Sequence, residues 1–330
     1  MISYTTMSFT NEHVEAAARL FSRNYRAARQ MVSSMPACYE NHERIVPLLN
    51  DMIKRSPAIV ALQDGEIVGY LGGHVLREWR GRRTAYAPFW AHAADEEDPD
   101  QIYRLLYACL ASQWIANGCF QHLVTALAHD TGAREALSWM GFGMVVVDTM
   151  RDMTRLHTPA NEIRIKQADM NDIETIEKLD NKLATYLAGP PVFLPLIEKR
   201  GKQYHEEWLT KPYHALWLAS RDGETVAYLK MCPLDADYLV TDEKTIWIQG
   251  AYTKKHARGQ GIGTALVDHA IAWAQGQGFK RCAVDFESDN ALACRLWLKH
   301  FRPICYSFAR RVDPRIAWAY AGREDKHFWS

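Results

Sequence analysis

The eleven residues ALQDGEIVGYL at 61–71 return 158 positions later as ASRDGETVAYL at 219–229, with seven identities. In each copy two apolar runs flank Asp-Gly. That dipeptide signals a tight hairpin because both turn positions need positive φ. Solenoid units recur every ~20 to 50 residues, so a 158-residue spacing constrains the chain to a duplicated domain. The flanks extend the repeat. Strand-like ISYTTM leads into a helical run that Thr10 or Asn11 caps, and IRIKQADMNDIETIEKLDNKL repeats strand then helix with Asn171 or Asp172 at the junction. RTAYAPFWAHA (83–93) and KTIWIQGAYTK (244–254) read as aromatic and β-branched strands. Helices follow over 100–118 and 263–278, then the strands FQHLVTALA and FKRCAVDFE. A short helix with Trp139 or Trp297 and a last strand close each half. The expected order in each half is β, α, β, β, β, α, β, α, β. The polar stretch at 151–162 marks the boundary, giving domains at 1–155 and 163–313 and an aromatic tail at 314–330.

At about 150 residues per domain, 330 residues also suit two domains. With 39 basic and 39 acidic residues the chain has no broad field for nucleic acid or an anionic membrane, so neither partner is expected. The seven cysteines are odd in number and form no Cys-x-x-Cys pair, which argues against a disulfide framework and a structural zinc site. No basic-then-apolar leader opens the sequence, and no apolar run reaches the roughly 18 residues of a membrane span. The expectation is a cytoplasmic protein without a bound metal.

The second constraint is ARGQGIGTALVDHA at 257–270. A dinucleotide fingerprint needs Gly-x-Gly-x-x-Gly, but Thr264 and Leu266 stand where its last glycine belongs. A Walker loop needs a lysine that is absent here. What remains is Arg258-x-x-Gly261-x-Gly263 between a strand and a helix. Backbone N–H groups unobstructed by β-carbons form an anion cradle, and the helix N-terminus adds partial positive charge. Arg258, Lys254 and Lys255 add full charge. The helix places Leu266, Val267, Ala270, Ile271 and Ala274 on one face, and Gly276 and Gly278 end it.

The strings TKKHARGQGIGTALVDHAIAWA and VDFESDNALACRLWLKHFRPICYS resemble the acetyl-CoA-binding motif of the GNAT superfamily of N-acyltransferases and the motif after it. The likeness covers roughly 163–313, and the first half shares the element order. The resemblance implies an α+β fold in α/β/α layers: two tandem GNAT-like domains, each a mixed sheet flanked by helices, with the thioester in a splay between two strands. It implies that Arg258, Gly259, Gln260, Gly261, Ile262, Gly263 and Thr264 wrap the pyrophosphate of coenzyme A. Ala251, Tyr252 and Thr253 would meet the pantetheine, and one N–H of their strand would polarise the thioester carbonyl. Asn290, at the next helix, would contact the cofactor as well as cap the helix. Trp297 falls on the cofactor side where many members carry the tyrosine that protonates the leaving thiolate. An indole cannot supply that proton, and core packing is its other role. The strand 246–253 also lacks the usual acidic base, leaving Tyr252, Asp285 and Glu287 as catalytic candidates.

At the equivalent place the first half has AADEEDPDQ (93–101), five acids and no glycine, which would repel a pyrophosphate. One acyl-CoA site, in the second half, is expected. The implied activity is acetyl transfer from acetyl-CoA to a small-molecule amine. The alternative is an acyl-CoA-binding sensor without turnover. Residues 185–208 are expected to line the acceptor site, with Glu206 and Glu207 available to a cation. The reading leaves room for a homodimer.

Overall fold

The computed structural model describes residues 3–157, 163–195 and 200–316. The chain forms two compact units. One holds the residues up to Val146 with Asp237–Val240 and the chain from Ile304; the other holds Val147–Ala236 and Thr241–Pro303. These units are not continuous stretches of the chain. Each half gives most of its last strand to the other unit. Duplicated halves present equivalent sheet edges, so exchanging an equivalent strand buries similar surface at little cost. Most of the aromatic tail lies outside the described residues.

In the first unit, strands β1 (Thr5–Ser8), β2 (Ile59–Gln63), β3 (Glu66–Leu71) and β6 (His92–Ala94) form one antiparallel sheet. Strands β4 (His74–Trp79), β5 (Arg82–Ala87) and β7 (Gln121–Leu127) pair with β14 (Arg302–Arg311) in a second. Helices α1 (Val14–Met31), α2 (Val46–Arg55), α3 (Pro99–Ala116) and α4 (Thr131–Trp139) complete this part. The single strand expected at 83–93 is two. Pro88 lacks the N–H a ladder needs, and the Ala91 N–H instead closes a turn onto the Pro88 carbonyl at 2.8 Å. The hairpin of β4 and β5 around Arg80-Gly81 was not expected from the sequence.

The second unit orders its strands as β9 (Arg164–Gln167), β10 (Ala215–Arg221), β11 (Glu224–Cys232), β12 (Thr245–Thr253), β13 (Arg281–Glu287) and β8 (Gly143–Asp152). Helices α5 (Ile173–Ala188) and α6 (Lys202–Leu209) cover one face of its hairpin, packing Ile176, Leu179 and Trp208 on Leu216, Leu218 and Tyr228. Helix α7 (Ile262–Gly276) covers the other, where Trp273 meets Trp217 at 5.4 Å. Helix α8 (Ala291–His300) follows β13. The piece of chain after β8 is pinned to α7: Arg155 grips the Asp268 carboxylate at 2.8 and 2.6 Å, and the Leu156 N–H adds a bond at 2.7 Å.

The repeated hairpins match in detail. Asp64 and Gly65 adopt φ of 51° and 86°, and Asp222 and Gly223 adopt 48° and 79°. Each hairpin is also bulged at the same place, after Ala61 and after Ala219. The two tryptophans diverge: Trp139 is 70% exposed, whereas Trp297 is 5% exposed and packs edge-on to Phe301. Among the described residues no helix is long and apolar enough to cross a membrane.

Candidate active site

Strands β12 and β13 run parallel from Thr245 and Arg281 to Ile248 and Val284, and pair no further. Beyond that point β12 continues to Thr253 against β11 alone. Its other edge, at Ala251, Tyr252 and Thr253, is thus left with backbone donors and acceptors that no strand among the described residues takes. The strand bends where it parts. Lys230 faces Gly250 but Met231 faces Ile248, so Gln249 is the extra residue of a bulge. Gln249 is exposed, and its side-chain oxygen accepts from the Trp208 indole at 2.8 Å.

The glycine loop lies at the end of this strand. Gly259 and Gly261 hold φ of 76° and 80°, the left-handed region that glycine enters without a β-carbon clash. Gly261 is the N-cap of α7 and offers no side-chain cap, so among the described residues the N–H groups of the first turn stay available to an anion. Ile262 is buried and anchors the helix, while Gln260 bonds to the His256 carbonyl at 3.1 Å and accepts from Arg221. Gly263 lets α7 close on α8; a β-carbon there would sit 3.3 Å from Leu296. Thr264 reaches His300 Nε2 at 3.2 Å.

Arg258 is held by its Nε–H to the Thr253 carbonyl at 2.9 Å. Its guanidinium lies between the rings of Tyr186 and Tyr252, at 5.1 and 5.6 Å. Tyr186 also donates to Asn290 Oδ1 at 3.0 Å, and the same oxygen caps α8 through the Ala293 N–H at 3.2 Å. Asn290 is thus an N-cap and an anchor for Tyr186. Beside these residues opens a pocket of ≈ 510 Å³ whose wall includes Tyr186, Tyr252, Lys182, Lys254, Lys255 and His256. Glu224 partly neutralises it, bonding Lys254 at 2.6 Å and His256 at 3.2 Å. The donor set suits phosphate groups: positive side chains, an uncapped helix N-terminus and glycines without β-carbons.

The bulge rests on a buried charge cluster. Lys230, 1% exposed, bonds Asp180 at 3.0 Å, and the Tyr228 hydroxyl donates to the same oxygen at 2.5 Å. Burial lowers the lysine against the pull of Asp180. Burial pushes Asp180 up, but Lys230 and the Tyr228 hydroxyl outweigh it and hold the carboxyl below its usual range. A β-carbon on Gly250 would lie 2.9 Å from Lys230 Cε, so any larger residue there would displace the end of the lysine from Asp180.

The catalytic candidates separate. Asp285 is the first residue of β13 past the point of divergence, exposed yet raised above the usual carboxylate range by burial among surrounding protein. Glu287 lies two residues further on the same face of β13. Tyr252 stands over Arg258 at the other end of the free edge. Trp297 belongs to the core, as its burial shows. Glu206 and Glu207 lie on the exposed side of α6, where Glu207 binds Gln203 at 2.8 Å. Sequence reasoning missed three things: the specific seat of Tyr186, the Lys230–Asp180 pair, and Asp148 on β8. The first two stand in unremarkable helical and strand contexts. Asp148 precedes the stretch that carries the motifs.

The first half has no such cradle. Asp98 stands at the N-cap position of α3 without a side-chain bond to the helix, Asp95 pairs with Arg23 at 2.8 Å, and the Tyr4 hydroxyl donates to Asp98 at 3.4 Å. Pro99, the first residue of α3, packs so closely on α4 that a β-carbon on Gly132 would meet it at 2.3 Å.

Residues 183–301 match the model of the acetyltransferase (GNAT) family. The chain is similar in fold to a GCN5-related N-acetyltransferase from Sphaerobacter thermophilus, with a TM-score of 0.55 and 14% identity over 93% of this chain and 95% of that one. It is also similar to a structure described as the glucosamine N-acetyltransferase region of a fungal multi-domain GH3 β-N-acetylglucosaminidase. There the TM-score is 0.52 with 14% identity, over 94% of this chain and 38% of that one. A tandem GNAT protein from the clavulanic acid biosynthesis pathway aligns with a TM-score of 0.48 and 13% identity, over 94% and 99% of the two chains. No curated protein sequence matches.

Proposed function

We propose that this chain is an acyl-CoA-dependent N-acetyltransferase acting on a small-molecule amine, a reading supported by the match of residues 183–301 to the acetyltransferase (GNAT) family. The observation that carries the reading is the free edge of β12 running into an uncapped helix N-terminus at Gly261, with a carboxylate at the point where the sheet opens. Arg258 and the loop from Gly259 to Thr264 hold the pyrophosphate, and Lys254, Lys255 and Lys182 serve the remaining phosphate. Ala251, Tyr252 and Thr253 align the pantetheine, and Asn290 sets the ring of Tyr186 beside it. Acetyl-CoA supplies the activated acyl group. A backbone N–H of the bulged strand steadies the oxyanion that forms as the amine attacks. Asp285 takes the ammonium proton, directly or through water. The thiolate departs into solvent, since Trp297 has no proton to give.

A sensor that binds acyl-CoA without turnover is the second reading, favoured by the tryptophan at the place of the acid. Thiol release from acetyl-CoA with a panel of amines separates the two: release that depends on the amine supports the enzyme, and none with any amine supports the sensor. Gly261→Asp tests the cradle. A carboxylate at a left-handed, anion-facing position should abolish coenzyme A binding by titration calorimetry, and unchanged affinity would sink the assignment.

A further inference from the structure

Two carboxyl groups stand where the sheet parts. Asp285 follows the last paired residue of β13, and Asp148 lies on β8, the strand on the far side of β13. The strands are tied together beside the acids: the Thr149 hydroxyl donates to the Val284 carbonyl at 2.8 Å, and these two are the chain neighbours of Asp148 and Asp285. Strand alternation turns Asp285 to the face of β13 opposite Val284 and Asp148 to the face of β8 opposite Thr149. Arg151 shares the face of Thr149 and stacks on Phe301 at 5.6 Å, on the side away from the acids.

The surrounding charges are already engaged. Arg281 and Glu287 share the face of Asp285 on β13, and Arg281 is paired with Asp242. On β12, just past Ile248 where the pairing with β13 ends, stands the neutral Gln249, bound to Trp208. Asp152, two residues beyond Met150 on β8, accepts from the Thr154 N–H at 2.9 Å. On the α5 and α6 side, Lys230 and Arg200 lie 3.0 and 3.9 Å from Asp180, and His205 is 4.0 Å from it. Burial, and after it the Asp285 carboxylate, push Asp148 up to about 8.

We propose that Asp148 and Asp285 act as one proton-sharing carboxyl pair that accepts the proton of the acceptor ammonium, so that a strand from the N-terminal half completes the transfer centre. The inference rests on the acetyltransferase reading above. The ammonium N–H bond breaks and its proton passes to a carboxylate oxygen of the pair. The freed nitrogen lone pair bonds to the thioester carbonyl carbon, the C–S bond breaks, and its electrons leave on sulfur. The second nitrogen proton goes to solvent or to the thiolate, so the products are the amide, coenzyme A thiol and one released proton. A pair that gives up its last proton near neutrality is a better base for an amine than an ordinary carboxylate. Its location also explains how the acid missing from β12 is replaced.

The test uses the full chain labelled with carboxyl-¹³C aspartate, with Asp148→Asn and Asp285→Asn as comparisons. Asp148 should titrate near 8 in the wild type, and its step should fall by about one pH unit or more in Asp285→Asn, where the like charge is gone. Thiol release from acetyl-CoA with ethanolamine, putrescine and glucosamine supplies the second arm. The wild-type profile should carry an inflection near 8 that Asp148→Asn lacks. Turnover should drop about tenfold in Asp148→Asn and about a hundredfold or more in Asp285→Asn. An Asp148 titration that ignores Asp285→Asn overturns the pairing. An inflection that persists in Asp148→Asn overturns the role in transfer. No thiol release by the wild type with any amine overturns the acetyltransferase reading, and the role in transfer with it, while the titration still decides whether the acids are coupled.

Discussion

Asp148 is a residue whose protonation should be felt in folding as well as in chemistry. Its folded carboxyl holds its proton to about 8 against an ordinary 3.8, with burial as the main cause. Between those values the unfolded chain sheds a proton that the folded chain keeps, so stability falls as pH rises through the window and levels off above it. An asparagine at this position would hold no such proton. The stability of Asp148→Asn relative to wild type should therefore rise between pH 4 and pH 8, by about a few kcal/mol, since each pH unit crossed is worth ~1.4 kcal/mol. Urea melts at the two ends of the window read this difference. A constant gap would mean that Asp148 is ionised in the folded protein throughout. The glycine loop before α7 was legible at this scale because a left-handed turn favours residues of one type at fixed spacing. Gly259 and Gly261 could be named from the sequence and do hold positive φ. Asp148 was not legible because nothing local distinguishes an aspartate within a strand until its neighbours across the sheet are known.

At the scale of elements, β12 owes its bend to what lies beneath it. The bulge at Gln249 sits over Lys230, whose ammonium is held by Asp180 from α5. Lys230→Met would leave that carboxylate buried with Arg200 at 3.9 Å as its nearest remaining cation. Breaking one partner of a buried pair costs about 3 to 5 kcal/mol, whereas replacing both with apolar groups can be neutral. Lys230→Met should thus destabilise by that order, and Lys230→Met with Asp180→Leu should recover much of it; a double-mutant cycle by denaturant melts measures the coupling. A double loss equal to the sum of the Lys230→Met and Asp180→Leu losses would show that the two charges are not coupled. The hairpins were legible because Asp-Gly turns and alternation are local signals, and they match down to the bulge. The break between β5 and β6 was hidden inside an aromatic run, although Pro88 within it was the available clue. The bulge left no mark in the sequence beyond a glycine at 250.

For the whole molecule, the repeat correctly implied duplication, but the exchange of β8 and β14 between units was invisible. A strand's sequence states that it wants a partner on a sheet, not which of two equivalent sheets supplies one. The exchange and the asymmetry of the two halves each have a measurable consequence. Calorimetric titration with coenzyme A should give one site per chain, because acids and Pro99 occupy in the first half the place of the glycine loop; two sites would contradict this. The exchange itself is tested by cutting the chain. A protease site placed at 158–162 separates two pieces that would each be a complete domain if the boundary lay there. With the observed packing, the N-terminal piece carries the residues of β8 that belong to the second unit, and the C-terminal piece carries the residues of β14 that belong to the first. Parting them would strip a strand from each sheet and expose apolar surface such as Met150 and Phe308, both buried at present. The cleaved pieces should therefore co-elute on size exclusion, keep coenzyme A affinity, and come apart only in denaturant. Pieces that separate on cleavage and bind coenzyme A as well as the intact chain would show that each half folds with its own last strand.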